Sequence, residues 1–223
     1  MIPALAHICN WIFDLDNTLY PASADLFGLM DVRMTAYVAK TLGIDDLIEA
    51  RRIQKSYFQG HGTTMAGLMA THEVDPHDYL ADVHDIDLDV LAEDRRLAEL
   101  IARLPGRKLI FTNGDEPYAR RVLAKLGLSD TFEAIHDIHA CAYKPKPHAD
   151  SYASMIAAFG IDPAASVFVE DMARNLAPAK ALGMTTVWID NGSEQGHDAD
   201  RAFIDHRITD LADWLHTLLG DDQ

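Results

Sequence analysis

The sequence predicts an α/β fold, in which a Rossmann-like parallel sheet core carries an inserted α-helical cap domain. Short apolar runs alternate with segments of helical periodicity over most of the 223 residues, and polar clusters follow several of these runs. A long stretch after the first run shows helical periodicity without a strand pattern. Strands that alternate with helices favour a parallel sheet covered by helices on both faces, and the helical stretch is then the insertion.

The elements of the core follow from apolar runs that end at polar residues or at glycine. Runs of this kind predict strands, and apolar residues at helical spacing predict helices. The strands are expected at 7–13, 107–112, 132–135, 166–169 and 185–189, and the helices at 117–126, 152–159, 173–182 and 211–218. Segment 191–200, which is rich in Gly and Asp, predicts a loop.

The insertion is predicted over residues 21–105, so that residues 1–20 and 106–223 form the core. Apolar residues recur at helical spacing between Leu26 and Val38, and helical patterning continues from Leu47 onward. An insertion after the first strand places a helical lid over the carboxyl ends of the strands. Ligands of open α/β sheets bind at those ends.

The charge balance argues against nucleic-acid polymers as partners. The chain has 19 Lys and Arg against 35 Asp and Glu, a formal net charge of −16, and such a surface repels a phosphate backbone. A small phosphorylated metabolite remains a suitable partner, because a divalent cation and a few local positive groups reverse the field inside a cleft. The oligomeric state is left open.

Cysteine usage and hydropathy favour a reducing compartment and no membrane. Cys9 and Cys141 are expected to be unpaired thiols, although two cysteines leave one bridge open. No apolar run has the length needed to span a bilayer, and residues 1–13 lack the basic region of a secretory signal. We therefore expect a cytoplasmic protein.

Four polar elements, each placed after a predicted strand, together provide what phosphoryl transfer requires. They are Asp14-Leu15-Asp16, Thr112-Asn113, Lys144 within YKPKP, and Glu170-Asp171. Of two carboxylates two residues apart, one can attack phosphorus while the other carries a proton, and a second acidic pair helps to hold a hard cation. A hydroxyl, backbone N–H groups and a lysine can surround the phosphate oxygens. Each element taken alone also fits a turn, a helix start or a solvated side chain.

In their order and separation, FDLDNTLY, FTNGD, the lysine of YKPKP and VEDMARNL resemble the four motifs of the haloacid dehalogenase superfamily. Residues 59–88 further resemble the helical C1-type cap of the pyrimidine 5'-nucleotidase branch of that superfamily. The resemblance implies a phosphatase that acts on a small metabolite. The likeness to the pyrimidine 5'-nucleotidase branch implies nucleoside monophosphates as substrates.

By this resemblance Asp14 is the nucleophile, which forms an aspartyl-phosphate. Asp16 is the acid that protonates the leaving oxygen and then the base that activates water. The resemblance also implies a Mg²⁺ ion held by the Asp14 carboxylate, the Asp16 main-chain carbonyl and Asp171. Glu170 would either bond a metal-bound water or orient the lysine.

The resemblance assigns the phosphate oxygens to three further residues. Thr112 would bind one through its hydroxyl and Asn113 through its backbone amide, while Lys144 would bridge the phosphate and the nucleophile. Asn175, one helical turn after Asp171, would help to position the acidic loop.

The substrate residues of the cap are expected at His61, Thr63 and Thr64, within the segment that resembles the nucleotidase branch. Their side chains would supply donors and acceptors to the leaving group. The alternative is that the glycines on either side of His61 mark a turn and Thr63 caps the next helix. No pair of histidines has the spacing of a zinc site.

Four other functions stay open beside the nucleotidase. One is hydrolysis of another phosphomonoester, such as phosphoglycolate or a sugar phosphate. A sugar-phosphate mutase would use the same acids, and a non-catalytic member would only bind its ligand. A haloacid dehalogenase would use the same nucleophile on carbon, but its leaving halide needs no acid, and the second aspartate, Asp16, argues for a phosphatase.

Overall fold

A parallel sheet forms the centre of the chain in the computed structural model, which describes residues 5–192 and 201–220. Its strands are β1 (Asn10–Phe13), β2 (Arg107–Phe111), β3 (Ala134–His136), β4 (Ser166–Glu170), β5 (Thr185–Ile189) and β6 (His206–Ile208). They lie in the order β3-β2-β1-β4-β5-β6, and every pairing is parallel. Phe13 is in register with Ile110 and Val169, so the residues after β1 stand beside the ends of β2 and β4.

The helices are named in chain order. They are α1 (Leu26–Leu42), α2 (Leu47–His61), α3 (Thr64–His72), α4 (Pro76–Val83), α5 (Arg95–Arg103), α6 (Glu116–Lys125), α7 (Ala149–Phe159), α8 (Ala173–Ala181) and α9 (Leu211–Leu219). An aspartate caps the N terminus of α2, α4, α5, α6 and α9 by accepting a backbone N–H. Part of the acidic composition therefore serves helix initiation.

Alternate residues of the central strand face two separate cores. Phe13 packs in one apolar cluster with residues of α5, α6 and α9, such as Val122. Ile12 packs in the other with residues of α7 and α8, such as Tyr152 and Leu176. Helices therefore cover both faces of the parallel sheet, and the predicted α/β fold with its Rossmann-like core is confirmed.

Helices α1 to α4 form one group between β1 and β2, and α1 packs against both α2 and α4. Inside this group the buried Asp31 on α1 accepts hydrogen bonds from Gln54 and Lys55 on α2. Helix α5 also falls within the predicted insertion, but it packs against α9, where Arg96 and Asp213 form an ion pair of 2.7 Å. The division of the chain at residues 20 and 105 stays a prediction.

Several smaller features complete the comparison with the sequence. Strand β6 was not expected, because three residues are too short to show a period. The predicted loop at 191–200 lies outside the described residues from position 193 onward. Cys9 and Cys141 are both free thiols. None of the described helices has the length and apolar character needed to cross a bilayer.

Candidate active site

Three buried carboxylates meet at the carboxyl ends of the two central strands. Asp14 follows β1, Glu170 ends β4 and Asp171 comes next. Their exposed fractions are 5%, 1% and 3%. One carboxylate oxygen of each lies within 4.8 Å of the others. The topology thus brings together Asp14 and the acidic pair, which are 156 residues or more apart in the sequence.

A buried lysine, Lys146, joins two of these carboxylates. Its Nζ lies 2.7 Å from Asp14 Oδ1, 2.7 Å from Glu170 Oε2 and 2.9 Å from the Phe111 carbonyl oxygen. It also lies 5.1 Å from the centre of the Phe111 ring. All three protons of the ammonium group therefore have an acceptor, which is what burying a lysine requires.

The prediction that Lys144 belongs to the site is wrong. Lys144 is exposed and pairs with Asp150, while Lys146, two residues later, reaches the nucleophile. The backbone of the second lysine is bound by a side chain after β2, because Asn113 Oδ1 accepts the Lys146 N–H at 2.8 Å. Both lysines of YKPKP precede a proline, and no local signal in the sequence separates them.

The charges of this cluster are incompletely balanced. Burial raises the pKa of Asp14 and raises that of Glu170 to about 7, although Lys146 acts in the opposite direction. Burial alone would lower the pKa of Lys146, but Asp14 and Glu170 outweigh it and raise that pKa, so the amine stays charged. When ionised, three carboxylates around one ammonium leave two negative charges in excess.

This surplus and the oxygen ligands suit a divalent cation such as Mg²⁺, which binds proteins through one or two carboxylates and waters. The Asp171 loop is fixed, because Trp188 Nε1 donates to the Asp171 carbonyl oxygen at 2.8 Å. Within the described residues, the buried Asn175 Oδ1 has no donor, and a metal-bound water would supply one. Asp14 and Asp171 would hold the ion, Glu170 contacts the lysine through its Oε2 at 2.7 Å from Lys146 Nζ, and the Asp16 carbonyl stays a predicted ligand.

Two tyrosines that sequence reasoning missed bind Asp16. Tyr20 and Tyr118 donate their phenol protons to Asp16 Oδ1 at 2.7 and 2.8 Å. Burial, followed by the charge of Asp16, raises the pKa of both phenols, so they remain donors. Tyr20 belongs to the quoted FDLDNTLY segment, whereas Tyr118 lies 102 residues after Asp16 and gives no local signal.

The predicted phosphate ligands line the end of β2. Thr112 is buried, and its Oγ1 accepts the Gly114 N–H at 3.0 Å, which shapes the turn after the strand. The Asn113 side chain binds the Lys146 backbone. Thr18, which was not predicted, points its Oγ1 at Asp14 Oδ2 over 3.4 Å. The phosphate contacts of Thr112 and Asn113 stay predictions.

The cap residues lie in the turn between α2 and α3. His61 is exposed, Thr64 is buried, and Thr63 Oγ1 accepts the Ala66 N–H at 3.0 Å as the cap of α3. A Cβ atom at Gly62 would lie 3.7 Å from the Pro145 side chain, so this turn stands beside the loop that carries Lys146. The geometry gives Thr63 a structural role, and a substrate role for the three residues stays a prediction.

Comparison with known sequences places the chain among hydrolases. The model of the family described as haloacid dehalogenase-like hydrolase matches residues 11–183. Phosphate metabolism protein 8 of Saccharomyces cerevisiae is 30% identical over an alignment of 193 residues, and the match covers 78% of this chain and 59% of the yeast protein. (S)-2-haloacid dehalogenase of Xanthobacter autotrophicus is 25% identical over an alignment of 197 residues, and the match covers 82% of this chain and 76% of that protein. This chain therefore matches less than two thirds of the yeast relative.

Solved structures share the fold over nearly the whole chain. A HAD phosphatase from Thermococcus onnurineus has a TM-score of 0.64 at 22% identity, with 96% of this chain and 98% of that chain covered. The L-2-haloacid dehalogenase of Xanthobacter autotrophicus has a TM-score of 0.57 at 21% identity, with 96% and 99% covered. The HAD-hydrolase YfnB of Bacillus subtilis, bound to magnesium, has a TM-score of 0.60 at 14% identity, with 96% of this chain and 99% of that chain covered.

Proposed function

Because the chain belongs to the haloacid dehalogenase-like hydrolase family, we propose that it is a Mg²⁺-dependent phosphomonoester hydrolase that forms an aspartyl-phosphate on Asp14. The observation that carries the proposal is the second carboxylate, Asp16, fixed by two phenols two residues after the nucleophile. Displacing a phosphate ester expels an alkoxide, which needs a proton. Displacing a halide does not, so this arrangement favours the phosphatase over the dehalogenase.

In the first half-reaction a carboxylate oxygen of Asp14 bonds to phosphorus while the bond from phosphorus to the ester oxygen breaks. Asp16 gives its proton to that ester oxygen, which leaves as an alcohol. Lys146 fixes the attacking carboxylate through Oδ1 at 2.7 Å. Mg²⁺, when bound, stabilises the negative charge that the substrate brings to this acidic site.

In the second half-reaction water attacks the phosphorus of the aspartyl-phosphate. Asp16, now ionised, takes a proton from that water, and the bond between phosphorus and the Asp14 oxygen breaks. Inorganic phosphate leaves, Asp14 is a carboxylate again and Asp16 is protonated. The Thr112 hydroxyl and the Asn113 backbone N–H would bind the phosphoryl oxygens in both steps.

We propose nucleoside monophosphates, with UMP and CMP foremost, as the substrates. Two features support this choice: the likeness of residues 59–88 to the nucleotidase cap, and the position of the His61–Thr64 turn beside Pro145. The name of the yeast relative, Phosphate metabolism protein 8, supports phosphate chemistry in general. Phosphoglycolate, sugar phosphates and a mutase reaction are the alternatives within this chemistry.

Dehalogenation is the second candidate, because the Xanthobacter autotrophicus enzyme matches 82% of this chain. One experiment separates the candidates. Purified protein is incubated with Mg²⁺ and a panel of nucleotides, sugar phosphates, phosphoglycolate and para-nitrophenyl phosphate, and phosphate release is measured. Halide release from 2-chloropropionate is measured in parallel.

We expect phosphate release that stops in excess EDTA and returns with Mg²⁺, and that Asp14→Asn abolishes. Halide release without phosphate release would overturn the phosphatase. If phosphoglycolate or a sugar phosphate is hydrolysed faster than every nucleotide, the nucleotidase assignment is overturned and the phosphatase assignment stays in place. Phosphate that reappears on another position of a sugar would indicate the mutase.

A further inference from the structure

Tyr118 and Tyr20 converge on one oxygen of the acid that the proposed mechanism uses. We propose that both are positioning residues, which hold the Asp16 carboxyl group so that its other oxygen carries the transferred proton. The inference rests on the proposed function, because it requires Asp16 to act as the acid and base. Tyr20 lies 2.7 Å and Tyr118 2.8 Å from the same atom, Asp16 Oδ1.

The two bonds determine which oxygen can exchange a proton. A carboxylate oxygen accepts through two lone pairs, and the two phenol O–H groups occupy both of them on Oδ1. The proton of the acid is therefore carried by Oδ2. Two donors on one oxygen also stop the carboxyl group from rotating about its last bond, so Oδ2 keeps one direction through both half-reactions. Proton transfer depends on this geometry, because the donor must come within hydrogen-bond reach of the leaving oxygen.

The Tyr118 phenol is itself held from the cap side. The ring of His84, which follows α4, stacks on the Tyr118 ring with centres 4.3 Å apart and planes 15° apart. His84 Nδ1 is 2.9 Å from Asp115 Oδ1, and the same oxygen accepts the Tyr118 backbone N–H at 3.1 Å. Arg121 donates to the His84 carbonyl oxygen at 2.9 Å. A residue of the insertion thus stacks on the Tyr118 ring, and it also contacts Asp115, which caps the Tyr118 backbone.

The Tyr20 phenol is held by burial, as the Tyr118 phenol is. Tyr20 is 3% exposed and Tyr118 is 1% exposed, and both belong to the larger apolar cluster. Neither ring can swing away from Asp16 without opening that cluster. The two donors therefore keep their positions as part of the fold, before any substrate is present, and this is the condition for an effective positioning contact.

The test compares two leaving groups. An alkyl phosphate, such as the best nucleotide of the panel, needs a proton on its leaving oxygen, whereas para-nitrophenolate leaves without one. For Tyr118→Phe we expect kcat/KM on the alkyl phosphate to fall roughly tenfold to a hundredfold, a part of what general acid catalysis contributes. On para-nitrophenyl phosphate we expect a change of less than about threefold. The control Tyr37→Phe removes the hydroxyl from a ring that packs against Tyr79 in the cap, and it should leave kcat/KM on both substrates unchanged.

A second variant and a coupling measurement complete the design. Tyr20→Phe should show the same selective loss, and it decides the question if Tyr118→Phe does not fold. In an Asp16→Asn background, Tyr118→Phe should add no further loss, because a residue that acts through Asp16 has nothing left to position. Equal losses on both substrates, no loss on either, or additive losses in the double variant would overturn the proposal. If Asp16→Asn keeps full activity on the alkyl phosphate, Asp16 is not the acid and the positioning proposal falls with it, whereas the proposed function fails only if the unmodified protein releases no phosphate.

Discussion

Lys146 occupies the point where two buried carboxylates and a main-chain carbonyl meet, and its contacts explain why β1, β2 and β4 must all be in place for the site to form. Its Nζ bonds Asp14 after β1, Phe111 at the end of β2 and Glu170 at the end of β4. Removing the ammonium would leave two buried carboxylates facing each other. Removing its neighbour Lys144 would break only an exposed ion pair with Asp150.

The two lysines therefore form a matched pair of variants. Lys146→Met should lower kcat by at least about a hundredfold and lower the free energy of unfolding by roughly 3 to 5 kcal/mol, because it breaks a buried charge cluster. Lys144→Met should keep kcat within about twofold of the value of the unmodified protein and change the free energy of unfolding by less than roughly 0.5 kcal/mol. Steady-state kinetics and urea unfolding measure both quantities. If Lys144→Met caused the larger loss of kcat and Lys146→Met the smaller one, the site would use Lys144, as the sequence motif suggests.

Asp14 gives the sharpest prediction at the scale of one atom. Asp14→Asn keeps the shape of the side chain but replaces the attacking oxygen by a poor nucleophile, so kcat should fall by more than about a thousandfold. Circular dichroism should show an unchanged fold. Activity within a few-fold of the unmodified protein, on a preparation free of contaminating phosphatase, would remove Asp14 from its role.

The sequence could predict the residue types of the site more readily than their partners. Asp14, Glu170 and Asp171 follow predicted strands, and parallel strands bring their ends together, so their meeting follows from the pattern. Lys146 is bound by the Asn113 side chain, which lies 33 residues before it, and the phenol of Tyr118 reaches Asp16 from another element. Such contacts are set by packing between distant segments, and local patterns carry no information on them.

At the scale of elements, the strands with continuous apolar runs were the easiest to predict. The expected strand at 185–189 matches β5, and the expected helix at 173–182 matches α8 within a residue. Strand β1 is shorter than its apolar run, since pairing begins only at Asn10. Strand β6 has three residues and partly exposed side chains, so it is defined by pairing with β5 and not by its own composition.

Helices α1 and α2 give a prediction on pH, because the buried Asp31 joins them. Burial alone would raise the pKa of Asp31, but hydrogen bonds from Lys55 and Gln54 and the charge of Arg51 outweigh it and lower that pKa. A lowered folded pKa means that the ionised group stabilises the fold above its ordinary value of 3.8. That stabilisation is lost as the pH falls through the folded value.

Asp31→Asn should therefore lower the free energy of unfolding by about 1 to 3 kcal/mol at pH 7. The difference from the unmodified protein should shrink as the pH falls below about 4, because Asp31 then becomes protonated and resembles the amide. Asp45→Asn, an exposed change in the loop between α1 and α2, is the control and should have little effect. Urea unfolding across this pH range measures the difference, and a difference that stays constant with pH would rule out the charge of Asp31 as its source.

At the scale of the molecule, the insertion and the sheet meet around the active site. Besides His84 on Tyr118, the ring of His77 on α4 stacks against His139 at 4.5 Å, and Arg174 lies 5.0 Å from the centre of the Phe58 ring. The core supplies groups for the phosphoryl end of a substrate, and its chemistry is visible in short motifs. The leaving group would meet side chains spread over several helices of the insertion, and for this reason the sequence indicates the reaction more closely than the substrate.

The acidic character of the chain and its buried carboxylates lead to a prediction on metal binding. The net charge of −16 and the excess of carboxylates over lysine at the site both favour a bound cation. A ligand that binds only the folded state stabilises it by about 2.7 kcal/mol at a concentration of 100 times its Kd. In a chain of this length, that raises Tm by roughly 5 to 10 °C.

We therefore expect Mg²⁺, added to metal-free protein at pH 7.5, to raise Tm by that amount in a thermal unfolding experiment. Asp171→Asn should abolish most of the rise, because it removes one of the three converging carboxylates. Asp130→Asn, an exposed change after α6, should keep the rise in full. The rise should also be smaller at pH 5.5, because burial raises the pKa of Glu170 to about 7 and protons then compete with the cation for the site. An unchanged Tm in the unmodified protein would rule out stabilising Mg²⁺ binding, and an equal rise in Asp171→Asn would place the metal elsewhere.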